Sequence, residues 1–179
     1  MRRTLWLARW LRGLVPSGLL VFSCVPAHAG TNTGNLMPTM TLAKACVTSP
    51  ASTTLSFPQY LPNSSVAVTA APTAITITCT NGDAWSITAS NGNNSSHATG
   101  TCGSAACTRA MTDGSAHYIG YDLFVGACCS GTTVWNNANK ISGTGDGTAQ
   151  SIDFWGEVAP SQNVPAATYT DTVVATYTY

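Results

Sequence analysis

What this chain has least of is charge: seven Lys or Arg and seven Asp or Glu among 179 residues. Four of the seven cations, Arg2, Arg3, Arg9 and Arg12, crowd the N-terminal end. Past residue 29 only Lys44, Arg109 and Lys140 stand against seven acids, a net charge of about −4. That balance argues against a nucleic-acid partner, which requires a basic face. It is also sparse for a freely diffusing monomer, whose surfaces are kept apart by charge. Thr, Ser, Asn, Gly and Ala fill the surface instead, as suits packing against copies of the chain or within a matrix.

Long apolar runs are missing too. The run Leu14-Val-Pro-Ser-Gly-Leu-Leu-Val-Phe22 is too short to span a bilayer. It follows the N-terminal arginines and leads to Ala27-His-Ala29, the small-x-small pattern of a secretory cleavage site. A signal peptide is therefore expected over 1–29, leaving a soluble, exported chain of 150 residues, 30–179. Cys24 does not make this a lipoprotein site, because bulky Phe22 stands where a small residue is usual. The remaining length suits one domain with a real core.

Other absences remove chemistry. Paired C-x-x-C spacing is lacking, so zinc held by cysteines with His97 or His117 is not expected, nor is any other metal. Ser115, His117 and Asp122 invite a hydrolase reading, but there is no G-x-S-x-G elbow, and residues 117 to 122 along a strand point to both faces. Gly143-Thr-Gly-Asp-Gly-Thr148 lacks the Lys-Ser/Thr and helix of a phosphate loop and has one carboxylate where calcium needs several. It reads as a connection between strands. Trp85, Trp135 and Trp155 read as core rather than sugar platforms. No enzyme activity and no cofactor are expected.

Six cysteines follow the signal: Cys46, Cys79, Cys102, Cys107, Cys128 and Cys129. An even number in an exported chain favours disulfides, and many pairings are open to six cysteines. Cys128 and Cys129 are not expected to bond each other, because that ring is strained. Each is expected to reach back to Cys102 or Cys107, with a local Cys102–Cys107 bond as the alternative.

No window carries a helical apolar period; the alternation is that of strands. Leu36, Pro38, Met40, Leu42 and Cys46 share one face of an extended segment, and Leu55 and Phe57 form a short strand closed by Pro58. Ile75, Ile77 and Cys79 alternate with threonines up to the turn at Asn81-Gly-Asp83. Trp85, Ile87 and Ala89 follow, and the polar loop from Asn91 to Gly103 leads towards Met111. Beyond a turn at Thr112-Asp-Gly-Ser115 come Ile119, Tyr121, Leu123 and Val125, then Val134-Trp135, then Ile152, Phe154, Gly156 and Val158. Short strands at this spacing predict an antiparallel sandwich in one domain. The last residues, from Tyr169 to Tyr179, alternate as a strand with no turn signal after them. Tyr169, Val173, Ala175, Tyr177 and Tyr179 are expected on an open acceptor edge that a strand from elsewhere must cover. Asp171, on the same face, is expected at the exposed start of that strand.

Four blocks resemble the spore coat protein U domain family, which includes secreted subunits of archaic, Csu-type chaperone–usher pili. They are Ala43-Lys-Ala-Cys-Val-Thr48 with Leu55-Ser-Phe57; Ile75-Thr-Ile-Thr-Cys-Thr-Asn-Gly82 with Trp85-Ser-Ile87; Arg109-Ala-Met-Thr112 with Tyr118-Ile-Gly-Tyr-Asp-Leu-Phe124 and Thr132-Thr-Val-Trp135; and Gly143-Thr-Gly-Asp-Gly-Thr-Ala-Gln150 through Gly156-Glu-Val158 to Pro165-Ala-Ala-Thr-Tyr-Thr-Asp-Thr-Val173. Each block alone is weak; in this order they cover nearly all of the exported chain.

The resemblance implies an incomplete immunoglobulin-like sandwich, residues 43–179, that lacks its last strand. A neighbour's N-terminal arm completes it by donor-strand complementation. In this chain the arm is 30–42, with Leu36, Met40 and Leu42 as the inserted face. The resemblance further implies a Cys46–Cys79 bond. The four later cysteines, and Pro38 within the arm, depart from the family pattern. The implied function is a structural pilin that polymerises into surface fibres for adhesion and biofilm formation. Its partners would be neighbouring subunits, a periplasmic chaperone and an outer-membrane usher, and its place the fimbrium at the cell surface. The alternatives are a secreted carbohydrate-binding or tip-adhesin domain and a non-polymerising coat or matrix protein.

Overall fold

The computed structural model describes residues 29–129 and 133–179. Nearly all of the expected signal peptide, 1–29, and Thr132 of the third block lie outside the described residues. The chain divides into two units, Met1–Met40 and Thr41–Tyr179. The described part of the first unit, 29–40, carries no helix or strand and exposes its side chains.

In the second unit β1 (Cys46–Ser49), β2 (Val68–Thr69), β3 (Thr73–Cys79) and β4 (Ala84–Ala89) precede a single 3-10 turn at Ser95–His97. Then come β5 (Thr101–Cys102), β6 (Ala105–Ala106), β7 (Arg109–Thr112), β8 (Tyr118–Val125), β9 (Ile141–Thr144), β10 (Ala149–Val158) and β11 (Ala175–Thr178). No α-helix occurs among the described residues. The larger sheet runs β1-β3-β10-β8-β7, with β2 also on β10. The smaller runs β11-β4-β9, and β5 and β6 form a hairpin. Every pairing is antiparallel.

Alternation explains the layers. In β3, Ile75, Ile77 and Cys79 are buried while Thr76 and Thr78 face outward; in β4, Trp85, Ile87 and Ala89 turn inward to meet them. Period-two burial requires a sheet with one covered face, and the two sheets cover each other. The central strand β8 is buried from Ile119 to Phe124, because its second face is covered as well. There Phe124 stacks on its cross-strand partner Trp155, ring centroids 4.6 Å apart, beside Cys102 and Cys107. Gly156, on the inner face of β10, has no side chain for a reason: a Cβ there would lie 2.8 Å from Leu55 and 2.7 Å from Phe57.

Two expected strands differ. Leu55 and Phe57 are not in a strand; they lie in an irregular segment packed against Tyr121, whose ring meets that of Phe57 edge-on at 5.9 Å. Among the described residues no backbone hydrogen bond engages 51–58, so that segment has no ladder to belong to. The terminal strand is shorter than its alternation predicts. Thr170 bridges Thr112, and β11 begins only at Ala175.

Candidate functional site: an open groove between the sheets

The sandwich is open on one side. A groove of about 560 Å³ runs between residues 50–57 on one wall and 169–175 with Tyr177 on the other. Its floor is the core itself, reached through Ile75, Ala89, Leu123, Trp135 and Phe154. Of the expected edge residues, Tyr169, Val173, Ala175 and Tyr177 all line it. Tyr179 does not; it is 57% exposed beyond the last strand. Along this wall residues 171, 173, 175 and 177 are half-buried while 172, 174 and 176 are exposed, the pattern of a strand with one face on a core. β11 pairs with β4 on one side, leaving its other edge towards the groove. Such an edge, beside a wall with no backbone ladder, is a template for an added strand.

Polar contacts hold the wall where a ladder does not. Ser90 and Val174 bond twice, Ser90 N to Val174 O at 2.9 Å and Val174 N to Ser90 Oγ at 2.9 Å. The Ser90 carbonyl accepts from Arg109 Nε at 3.0 Å and Nη2 at 2.7 Å. Arg109, wholly buried, also donates to the Trp135 carbonyl and to Asp122 Oδ1. Asp122 accepts from Thr108 N and Oγ1 as well. Burial pushes the Asp122 carboxyl upward, while the Thr108 bonds and the Arg109 charge pull it down.

Asp171 is not at an exposed strand start. It is half-buried in the groove wall, and its Oδ2 accepts from Tyr121 OH at 2.8 Å. Its Oδ1 accepts from Asn93 N at 3.0 Å and Asn94 Nδ2 at 3.3 Å. Burial, with the bond to Asp171, holds the Tyr121 hydroxyl far above its ordinary range, and burial also raises Tyr177. Neither the Arg109–Asp122 pair nor this clasp is expected from the sequence pattern. One signal was present: Asp122 interrupts the run Ile119 to Val125, where a lone acid needs a buried partner.

Leu36, Met40 and Leu42 are 92%, 90% and 75% exposed. These three apolar side chains, at even spacing in a segment with no helix or strand, are left in water.

The other candidates are dispersed. His117 Nδ1 lies 2.7 Å from Asp113 Oδ2 in the β7–β8 turn, whereas Asp122 is committed to Arg109, so no hydrolase triad forms. Trp85, Trp135 and Trp155 are 7%, 2% and 2% exposed, closed to a sugar. Residues 145–148 connect β9 to β10, Asp146 bonding Thr148 within the turn.

Disulfides join Cys46 to Cys79, Cys102 to Cys107 and Cys128 to Cys129. The first links directly opposed residues of β1 and β3. The reach of Cys128 and Cys129 back to the earlier pair does not occur. The β5–β6 hairpin brings Cys102 and Cys107 to a Cα separation of 5.0 Å, where they satisfy each other and leave the later neighbours to do the same.

The sequence profile of the Spore Coat Protein U domain family matches residues 32–176. No curated protein matches the chain. Among solved structures it is similar to a chain in the crystal structure of the CsuC–CsuE chaperone–tip adhesion subunit pre-assembly complex, from archaic chaperone–usher Csu pili of Acinetobacter baumannii. The TM-score is 0.53 at 19% identity, over 78% of this chain and 40% of that one. The likeness is one of fold, an immunoglobulin-like antiparallel sandwich.

Proposed function

This chain belongs to the Spore Coat Protein U domain family, and from that premise we propose that it is a structural pilin subunit. It polymerises by donor-strand exchange into surface fibres that serve adhesion and biofilm formation. The observation that carries this reading is the groove: a cleft floored by core residues between two walls, one of them with no backbone ladder among the described residues. A strand laid there gains main-chain bonds along the walls and buries alternate side chains in the floor. Each Leu or Met so buried contributes about 1.5–3 kcal/mol. The arm 30–42 offers that strand from a neighbouring copy, with Leu36, Met40 and Leu42 on the face turned towards the groove; on this reading the pilin domain is 43–179, within the compact unit that starts at Thr41. Before assembly a periplasmic chaperone lends a strand and an outer-membrane usher passes the subunit on. The similar structure is itself a chaperone–subunit complex. Residues 1–29 direct export, and the fibre stands at the cell surface. The role is structural rather than catalytic.

The test is to express residues 30–179 alone and with a copy of 30–42 joined after Tyr179 through a flexible Gly/Ser linker. The unfused chain is expected to aggregate or be degraded, and the fused chain to be a soluble monomer. A stable, cooperatively melting unfused monomer overturns the reading.

A further inference from the structure

The groove wall is apolar at Val173, Ala175 and Tyr177 but carries a carboxylate at Asp171. All four half-buried positions share one face. An incoming strand must therefore present three apolar residues and then a group that tolerates a carboxylate. Every pairing in the fold is antiparallel, including that of β11. An antiparallel arm with Leu42 opposite Val173 sets Met40 against Ala175 and Pro38 against Tyr177, and leaves Leu36 opposite Tyr179, past the end of the groove lining. Two residues beyond Leu42, on the same face, lies Lys44, and its opposite number is Asp171.

We infer that Lys44 of one subunit pairs with Asp171 of the next, and that this pair selects the register in which the arm seats. Directly opposed residues of neighbouring strands have side chains on the same face within contact reach, and opposite charges there attract. Sliding the arm by two residues would place Leu42 over the carboxylate. That strips water from an ionised group and gives it an apolar neighbour in exchange. Sliding it by one turns every apolar side chain away from the core.

Charge scarcity sharpens the choice. Past residue 29 the cations are Lys44, Lys140 and Arg109. Arg109 is fully buried against Asp122, and Lys140 lies in the connection before β9, far along the chain from the arm. Lys44 adjoins the arm. Its present contact, Asp83 Oδ1 at 3.0 Å, leaves the lysine side chain 70% exposed and that of Asp83 15% exposed. So exposed a lysine is held weakly, and seating it in a neighbour also requires Ala43 and Ala45 to release their bonds to Thr80. Asp171 has both oxygens held by Tyr121, Asn93 and Asn94, which fixes the position of the carboxylate in the wall.

This inference rests on the donor-strand reading, and a double-mutant cycle separates the two. Full-length chain, exported with its cognate chaperone and usher, is compared as wild type, Lys44→Gln, Asp171→Asn and the double variant; the readout is the rate of fibre growth. Asn at 171 keeps the size of the side chain while removing its charge. Lys44→Gln is expected to slow growth about fivefold when Asp171 is present, and by less than about twofold when Asn stands there. Lys140→Gln should change neither rate. Equal effects of Lys44→Gln in both backgrounds overturn the Lys44–Asp171 pairing while fibres still form. If Lys44→Gln or Asp171→Asn is not exported, the same cycle is read as melting temperature in the donor-fused chain. There the appended segment is extended to 30–44 and the lysine change is made in that copy alone. Additive shifts overturn the pairing. Absence of fibres from the wild type overturns the polymerisation reading itself.

Discussion

Arg109 and Asp122 form an ion pair with no solvent exposure on either side chain, Nη1 to Oδ1 at 3.0 Å. A buried pair is weak evidence for net stability, yet breaking it is severe, because the survivor keeps its charge without a partner. Arg109→Met should therefore destabilise the donor-fused chain by about 3–5 kcal/mol in denaturant unfolding. Asp122→Leu together with Arg109→Met should recover much of that. A loss under about 1 kcal/mol for the single change would mean that Arg109 does not hold the groove wall through Ser90.

The arm can be tested without touching the core. Leu36→Asp with Met40→Asp places two charges on the arm face turned towards the groove, that at 40 among apolar side chains, a penalty of several kcal/mol even after relaxation. The subunit should reach normal abundance in the periplasm, since both residues lie outside the folded unit and are exposed. Electron microscopy should show no fibres. Normal fibres from this variant would remove the arm from the mechanism.

Disulfide mapping of unreduced peptides should recover Cys46 linked to Cys79 and Cys102 linked to Cys107. The first closes a span of 33 residues, so replacing both cysteines by Ala should reduce stability by about 3–4 kcal/mol on the chain-entropy account. A peptide joining Cys46 to any of the four later cysteines would contradict the β1–β3 register.

Acid should loosen two turns. Asp113 is held below its ordinary range by the side-chain bond to His117 and the backbone bond from Ser115; Asp146 is lowered by Thr148. A carboxyl whose folded pKa is depressed contributes stability that is complete above its unfolded pKa and lost as pH falls through the folded value. The melting temperature of the donor-fused chain should thus decline below about pH 4. Asp113→Asn and Asp146→Asn together should flatten the decline. An unchanged slope in the double variant would count against both turns.

The strands legible in the sequence are those whose two faces differ. Ile75, Ile77 and Cys79 alternate with threonines because one side meets the second sheet and the other meets solvent. At Leu55 and Phe57 the same alternation misleads: a strand also needs a backbone partner, and side-chain pattern carries no record of one. The shortened terminal strand fails likewise, since at Asp171 side-chain bonds from a loop 78 residues earlier replace the ladder. That partnership is set by tertiary position, as is the Arg109–Asp122 pair, and local periodicity names neither partner. Tyr169, Val173, Ala175 and Tyr177 keep their alternation because that wall faces a core, even where it is no continuous strand.

The Cys46–Cys79 link has a mechanical consequence. In a fibre assembled as proposed, tension enters each subunit through the arm and arrives at Cys46, the first residue of β1. β1 is an edge strand of four residues, which hydrogen bonds alone would let peel away from the sheet end first. The sulfur bridge at its first residue diverts the pull into Cys79 of β3, which is paired along six residues with β10. Load thus bypasses the weakest seam and is spread by shear across the middle of the larger sheet. Single-fibre pulling should show early, compliant extension under reducing conditions and a stiffer response when the bridge is intact; identical curves would mean that force takes another route.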